Sequence, residues 1–281
     1  MSGRAEFQEV LRQLSVKQAM KHVEWLTQEV GERMSGTPQA DKAAVYLLNV
    51  MQKLGLKTEM QYFEAYNSFP IVAQLRVLTP EEKVIDCFPQ AHIPSTDPQG
   101  VTGTLVYVGA GAEEDYEDLD VRGCIVLTEL SYSPPRPEKA RIAARHGAKA
   151  MIIINWGTSN NCTLPRGAVK SVWGNPTPAT FPEIPQIPVI GVSRASGEYL
   201  KALAKSNNVK VWLSAQATRQ WDTLMQPVGI IEGAENPDGF VLVGGHLDAW
   251  GPGATCNAAG NGLMLELARV FSQFKGQLRR N

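Results

Sequence analysis

The sequence has no excess of charge of either sign and no long run of like charges. Its 281 residues include 27 Lys and Arg and 28 Asp and Glu, which gives a formal net charge of -1. A basic patch is the electrostatic feature with which proteins bind nucleic acid or an anionic membrane. We therefore expect no nucleic-acid partner and no membrane partner.

Long hydrophobic runs are also missing. The first residues, "MSGRAEFQEVLRQ", contain no apolar core of the length found in signal peptides, and no later segment approaches the roughly 18 apolar residues of a membrane span. Because 43% of the residues are nevertheless hydrophobic, the chain can bury a sizeable globular core. These features predict a cytoplasmic protein.

Cysteine is scarce and widely spaced. The four cysteines are Cys87, Cys124, Cys162 and Cys256, and no two of them form a CxxC pair. This spacing favours reduced thiols over a disulfide framework or a structural zinc knot. Only Cys256 lies in a segment whose other residues indicate chemistry.

The chain begins with two predicted helices and then changes character. Ser15 and Gln18 form a capping-box pattern, and the apolar repeat that follows stops at Gly31. Thr37 and Pro38 begin a second helix that ends at Gly55. From about residue 67 to 221 short apolar segments alternate with Gly and Pro, which predicts strands with two helices between them and therefore at least partly α/β structure.

The last part of the chain is predicted to contain two strands and a helix. The strands are "VGIIEG" and "FVLVGG", and the helix covers Gly260 to Phe274 with Leu263, Leu267 and Val270 on its apolar face. A crossover helix normally leads to a further parallel strand, and none follows here. We expect an incomplete sheet whose unpaired edge is covered by self-association into a homo-oligomer or by domain exchange.

The segment 241–262, "VLVGGHLDAWGPGATCNAAGNG", carries the candidate site. His246 and Asp248 directly follow the predicted strand, and ligands of open α/β sheets collect beyond the carboxyl ends of strands. In extended backbone, residues two apart face the same way, so both side chains bind one ligand or one supports the other. The pattern indicates either a metal site or a structural histidine at the start of a loop.

Three segments of the chain resemble a known family. The segment "VLVGGHLDAWGPGAT", followed by "LMLELARVF", resembles the metal-binding core of the M28 family of zinc-dependent exopeptidases, which includes aminopeptidases and glutamate carboxypeptidases. "VGERMSGTPQADKAAVYLLNVMQKLG" resembles the opening of these enzymes, and "PEKARIAARHGAKAMIIIN" resembles the protease-associated domain often inserted in them. The resemblance implies an α/β fold: a partial zinc-exopeptidase sandwich at 1–66 and 223–281, with a protease-associated domain of mixed α/β or β-rich structure at 67–222.

The resemblance also implies roles for single residues. His246 matches the histidine that binds one of two zinc ions, and Asp248 matches the active-site aspartate that orients it. Cys256 lies where the family has the aspartate that bridges the two metals, although a thiolate offers one soft atom where a carboxylate offers two oxygens. The family's general-base glutamate and its remaining ligands would lie beyond Asn281. Glu266 lies too far along its helix to replace that base.

The implied function is therefore hydrolysis of peptide bonds by a metal-activated water, with two zinc ions in a complete site and this chain inactive alone. The alternative is a non-enzymatic binding protein on the same fold, which Cys256 favours. A third hypothesis is a single zinc ion held by His246 and Cys256, within one chain or between two. The sequence does not determine the peptide substrate or the exo-specificity.

Overall fold

The computed structural model describes residues 3–206, 208–234, 239–278 and 280. The chain divides into two compact units. The split unit comprises Met1–Ala65 and Asp222–Asn281, and the inserted unit comprises Tyr66–Trp221. Each unit has a hydrophobic core of its own.

The described residues form six α-helices and ten β-strands. The helices are α1 (Gly3–Gln13), α2 (Val16–Glu24), α3 (Pro38–Lys53), α4 (Arg136–Arg145), α5 (Arg194–Leu203) and α6 (Ala259–Ser272). The strands are β1 (Lys57–Asn67), β2 (Pro70–Val77), β3 (Lys83–Ile85), β4 (Cys87–Pro89), β5 (Val101–Tyr107), β6 (Ile125–Glu129), β7 (Ala150–Ile154), β8 (Val189–Val192), β9 (Lys210–Ala217) and β10 (Gln220–Ile230). The α/β fold class is thus confirmed.

The inserted unit is built on one mixed eight-stranded sheet. The strand order is β3-β2-β9-β5-β6-β7-β8-β4, with β5 to β8 parallel and the flanking pairs antiparallel. The central strands are continuous apolar runs, and all five residues of β7 are buried. Such runs are typical of parallel strands that are covered on both faces. Helices α4 and α5 both pack against β7, which places the core of the unit at the parallel centre of the sheet.

Helices α2 and α3 begin where the sequence predicts, whereas α1 was not predicted as a separate helix. The Ser15 hydroxyl oxygen accepts a hydrogen bond from the Gln18 N–H at 3.3 Å, and Thr37 Oγ1 accepts one from the Ala40 N–H at the same distance. Gly55 follows α3 with a φ of +78°. The second half of the predicted capping box is wrong, because the Ser15 N–H donates to Glu266 Oε1 at 2.7 Å. A side chain of α6 therefore supplies a hydrogen-bond acceptor at the N-terminus of α2.

Helix α6 is present, but the prediction of its buried face was partly wrong. Leu263 is half exposed, whereas Leu265 and Val270 are buried. Gly262 lies against α2, where an added Cβ would come within 2.8 Å of the Ala19 carbonyl oxygen. The absence of a side chain at Gly262 lets the two helices approach closely, and this contact rotates the buried face away from Leu263.

The predicted strand "FVLVGG" does not form. Strand β10 pairs with β1 in a two-stranded sheet, while the described residues 239–248 are in no strand. The side chains of Phe240, Val241, Leu242 and Val243 are exposed. A strand needs backbone partners for its N–H and C=O groups, and none of the described strands lies beside this segment. The apolar composition alone could not supply that partner.

Among the helices within the described ranges, none is both long and apolar enough to cross a membrane.

Candidate functional site

His246 and Asp248 form a pair at the start of the glycine-rich loop. His246 Nδ1 lies 3.1 Å from Asp248 Oδ1 and 3.1 Å from the Asp248 carbonyl oxygen. Both neighbours accept hydrogen bonds, so Nδ1 carries the proton and donates it. The lone pair of Nε2 is then free to bind a ligand, which is the arrangement found where a carboxylate orients a metal-binding histidine. Of the two geometries left open by the sequence, the structure shows the one in which Asp248 supports His246.

Cys256 lies opposite the free nitrogen of His246. Its Sγ atom is 3.9 Å from His246 Nε2, and both side chains are exposed. Cys256 and Asn257 have non-helical backbone angles within the turn Ala254–Ala258 that precedes α6, and the peptide bond between them is cis. Within this turn the thiol faces the imidazole.

Two asparagines that the sequence analysis missed hold the backbone of His246. Asn261 Nδ2 donates to the His246 carbonyl oxygen at 2.9 Å, and Asn257 Nδ2 approaches the same oxygen at 3.4 Å. Asn261 is fully buried at the start of α6. The motif "CNAAGN" contains both residues, but only the fold shows that they meet the same carbonyl.

Arg33 is the second feature that the sequence analysis missed. It is fully buried, and its guanidinium donates to backbone carbonyl oxygens on both sides of the loop, including those of Leu247 and Pro252 at 2.8 Å each. Burial lowers the pKa of Arg33, while the charges of Asp248 and Cys256 act in the opposite direction. The segment "GERMSG" offered no pattern from which this contact could be read.

Gly253 allows the loop to fold tightly beside Cys256. Its φ of +59° lies in the left-handed region, and an added Cβ would come within 2.4 Å of both the Ala249 Cβ and the Cys256 carbonyl oxygen. Only glycine combines this backbone angle with the absence of a side chain. The glycines of the loop are therefore required by its shape.

A cavity of about 950 Å³ lies in the split unit beside this pair. His246 and Asp248 line it together with apolar side chains from α3, β10, the segment 240–243 and α6. On α6 the apolar lining includes Met264, Leu267 and Phe271. A large apolar cavity with a few polar groups at one side is typical of a small-molecule or peptide side-chain site.

Glu266 does not belong to the site. Its side chain is almost fully buried and accepts hydrogen bonds from Arg269 at 2.6 Å and 2.8 Å and from the Ser15 N–H. The hydrogen bonds from Arg269 hold the pKa of Glu266 below its ordinary value. A carboxylate engaged in this way stabilises helix packing.

The donor atoms present fit part of a zinc site. At zinc distances of about 2.3 Å to sulfur and about 2.0 Å to nitrogen, two ligands in tetrahedral geometry lie roughly 3.5 Å apart, close to the observed 3.9 Å between Sγ and Nε2. The described part of the chain contains no group of three or more His, Cys, Asp or Glu side chains that could hold a metal ion. His246 and Cys256 therefore fit two ligand positions of one ion.

Two segments match known families. Residues 101–200 match the PA domain, and residues 228–281 match Peptidase family M28. The resemblance to M28 exopeptidases with an inserted protease-associated domain is thus confirmed. The assignment of residues 67–100 and 201–222 to that inserted domain stays a prediction.

Several of the similar proteins are named as exopeptidases. Aminopeptidase YwaD of Bacillus subtilis (strain 168) is 29% identical, with 91% of this chain and 51% of that protein covered. The probable glutamate carboxypeptidase AMP1 of Arabidopsis thaliana is 25% identical, with 85% and 42% covered. The solved structure of a zinc aminopeptidase from Bacillus subtilis is 28% identical with a TM-score of 0.66, covering 92% of this chain and 58% of that one. The chain spans about half the length of these curated relatives or less.

Proposed function

We propose that the split unit provides the His246 side of the zinc centre of a metal-dependent exopeptidase, an aminopeptidase or a carboxypeptidase. The observation that carries this proposal is the alignment of three groups: the Asp248 carboxylate on Nδ1 of His246, and the Cys256 thiol facing Nε2. The match of residues 228–281 to Peptidase family M28 supports it.

Each residue of the group has a defined task in this proposal. His246 Nε2 and Cys256 Sγ are two ligands of one zinc ion, and Asp248 holds the imidazole ring in the tautomer that binds metal. The chemistry that zinc supplies in such enzymes is polarisation of the peptide carbonyl and activation of water. A complete centre with two zinc ions and a general base requires further donors.

The cavity beside His246 supports a peptide substrate. Its lining is mostly apolar and includes His246 and Asp248. A terminal residue with an apolar side chain would bury its hydrocarbon there and leave its peptide bond near the metal ligands. We therefore propose a preference for apolar terminal residues.

Titration of the 281-residue chain with Co²⁺ tests the zinc site. We expect tetrahedral binding of one ion with a thiolate-to-cobalt charge-transfer band. Cys256→Ser should abolish that band, and His246→Ala should weaken binding by a factor on the order of 100 or more, because a direct ligand contributes more than an outer-shell partner. His146→Ala is the matched control, since His146 bonds to Glu113 in the inserted unit.

Two results would contradict the proposal. One is a folded wild-type chain that binds no Co²⁺. The other is binding that survives His246→Ala unchanged. Either result favours the second candidate, a non-enzymatic binding protein on the same fold, for which the small number of ligands in the described part of the chain is the supporting observation.

A further inference from the structure

Arg33 joins the two limbs of the candidate metal loop. On the limb that carries His246, its Nε donates to the Leu247 carbonyl oxygen at 2.8 Å. On the limb that leads to Cys256, Nη1 donates to the Pro252 carbonyl oxygen at 2.8 Å, and Nη2 approaches that of Gly253 at 3.4 Å. One planar group thereby sets the spacing of two backbone segments that end in the two proposed ligands.

The same guanidinium ties the loop to the helical core. Nη1 also contacts the carbonyl oxygens of Leu26 at 3.2 Å and Gly31 at 3.0 Å, which lie near the start and just past the end of the π-helical segment Trp25–Val30 that follows α2. The backbone adds two bonds, from the Arg33 N–H to the Ala249 carbonyl oxygen and from the Ala249 N–H to that of Arg33. The loop is therefore fastened to a packed element and not only to itself.

The contacts of Arg33 differ from those of an arginine in an ordinary structural ion pair. Its five side-chain contacts within the described residues are all to backbone carbonyls, although the side chain is fully buried. Burying a cation is costly unless its donors are satisfied, and the oriented carbonyl dipoles do this here. Any rearrangement of the loop would leave that charge unsatisfied. The loop is consequently held in one conformation.

We propose that Arg33 is the positioning residue of this site: its planar fork holds the two limbs of the loop 247–253 at the spacing that brings His246 Nε2 and Cys256 Sγ together. The part of this inference that concerns metal binding rests on the proposed function, whereas the part that concerns the geometry of the loop does not. Lysine keeps the charge at this position, yet its three donors share one nitrogen and cannot span carbonyls on opposite limbs. Arg33→Lys is therefore the informative substitution.

The experiment measures the metal site and the loop separately. Co²⁺ affinity and the charge-transfer band report the alignment of His246 and Cys256, and amide hydrogen exchange of a peptide covering 247–258 reports the loop itself. Arg269→Lys is the matched control. Arg269 donates to Glu266 and to the Gln13 carbonyl oxygen in the same unit, so its replacement disturbs a second arginine fork whose hydrogen bonds within the described residues do not reach the loop.

We expect Arg33→Lys to lower Co²⁺ affinity about 10–100-fold, the range seen when outer-shell partners are removed, to weaken the charge-transfer band and to accelerate exchange in 247–258. Arg269→Lys should leave the Co²⁺ affinity, the charge-transfer band and the exchange in 247–258 unchanged, whatever its effect on thermal stability. The proposal is overturned if Arg33→Lys leaves all three readouts unchanged, or if it alters them no more than Arg269→Lys does at equal loss of stability.

Two further measurements keep the test decisive. If the wild type binds no Co²⁺, the proposed function fails, and exchange in 247–258 alone decides the role of Arg33. If Arg33→Lys does not fold, the wild type itself is informative, because the Ala249 amide should exchange as slowly as the core of α3. Exchange of Ala249 as fast as that of the exposed segment 240–243 would overturn the proposal.

Discussion

Two segments of this protein are similarly apolar, yet one forms a buried strand and the other is exposed and forms none. "AMIII" forms β7 of the inserted unit, where all five residues are buried between β6 and β8. "FVLV" at 240–243 in the split unit forms no strand, and Leu242 is 81% exposed. The difference lies in the neighbours, because β7 has a parallel partner on each side. An apolar run therefore becomes a strand only where the fold supplies backbone partners.

The largest expected effect is the difference in stability loss between truncating a side chain of β7 and truncating one in the segment 240–243. Ile152→Ala should lower the free energy of unfolding of the inserted unit by about 4 kcal/mol, since it removes buried methyl groups and leaves a cavity. Leu242→Ala should change the stability of the split unit by less than about 0.5 kcal/mol, because its side chain is in water. Urea unfolding followed by circular dichroism measures both. A large loss in Leu242→Ala would show that the segment is buried in solution and would break the comparison.

A second prediction concerns the acid stability of the inserted unit. Burial lowers the pKa of His92 from 6.5 to about 4, with a hydrogen bond to the Tyr66 carbonyl acting in the opposite direction and Lys170 and Arg219 lowering it further. The folded state therefore prefers the neutral ring. Above pH 6.5 the ring is neutral in both the folded and the unfolded state. As the pH falls from 6.5 to about 4, the unfolded state binds a proton that the folded state does not, so the free energy of unfolding falls by roughly 3 kcal/mol.

His92→Asn removes this titration, and asparagine tolerates the φ of +68° at that position. The test is the difference in unfolding free energy between wild type and variant at pH 7, 5.5 and about 4. We expect the wild type to lose stability more steeply than the variant over this range. Parallel curves for the two proteins would show that His92 has the same pKa in the folded and unfolded states and would contradict this prediction.

The smallest expected effect concerns self-association, which the sequence predicts and which we propose for the segment 240–243. Exposed contiguous apolar side chains favour association with a second copy. Leu242→Asp should weaken a micromolar self-association at least tenfold, or about 1.4 kcal/mol. Val16→Asp is the control, because Val16 is equally exposed on α2 but lies outside the segment. A wild type that sediments as a monomer at micromolar concentration would contradict this prediction.

Local patterns predicted much of the fold. The caps at Ser15 and Thr37, the glycine after α3 and the buried strand β7 are all present. Each depends on residues close together in the chain, such as a hydroxyl that reaches an amide three residues away. The pairing of Asp248 with His246 belongs to the same class, since the two residues are separated by one position.

Contacts between distant segments were not predictable in this way. Glu266 receives the Ser15 N–H, and Arg33 receives its partners from a loop more than 200 positions away. Nothing in a local pattern of charge or hydrophobicity marks such partners. The face of α6 that is buried also depended on a distant residue, since Ala19 packs against Gly262.

The amino-acid sequence by itself determined the α/β class, the helix starts and the position of His246 and Asp248 beside a glycine-rich loop, because these depend on short-range periodicity and hydrogen bonding. The tertiary structure decided which apolar runs are buried, how Arg33 joins the two limbs of the loop, and that Cys256 Sγ lies 3.9 Å from His246 Nε2. These features depend on the packing of segments that are remote in the chain, and the energy of each contact depends on which partner the fold brings to it.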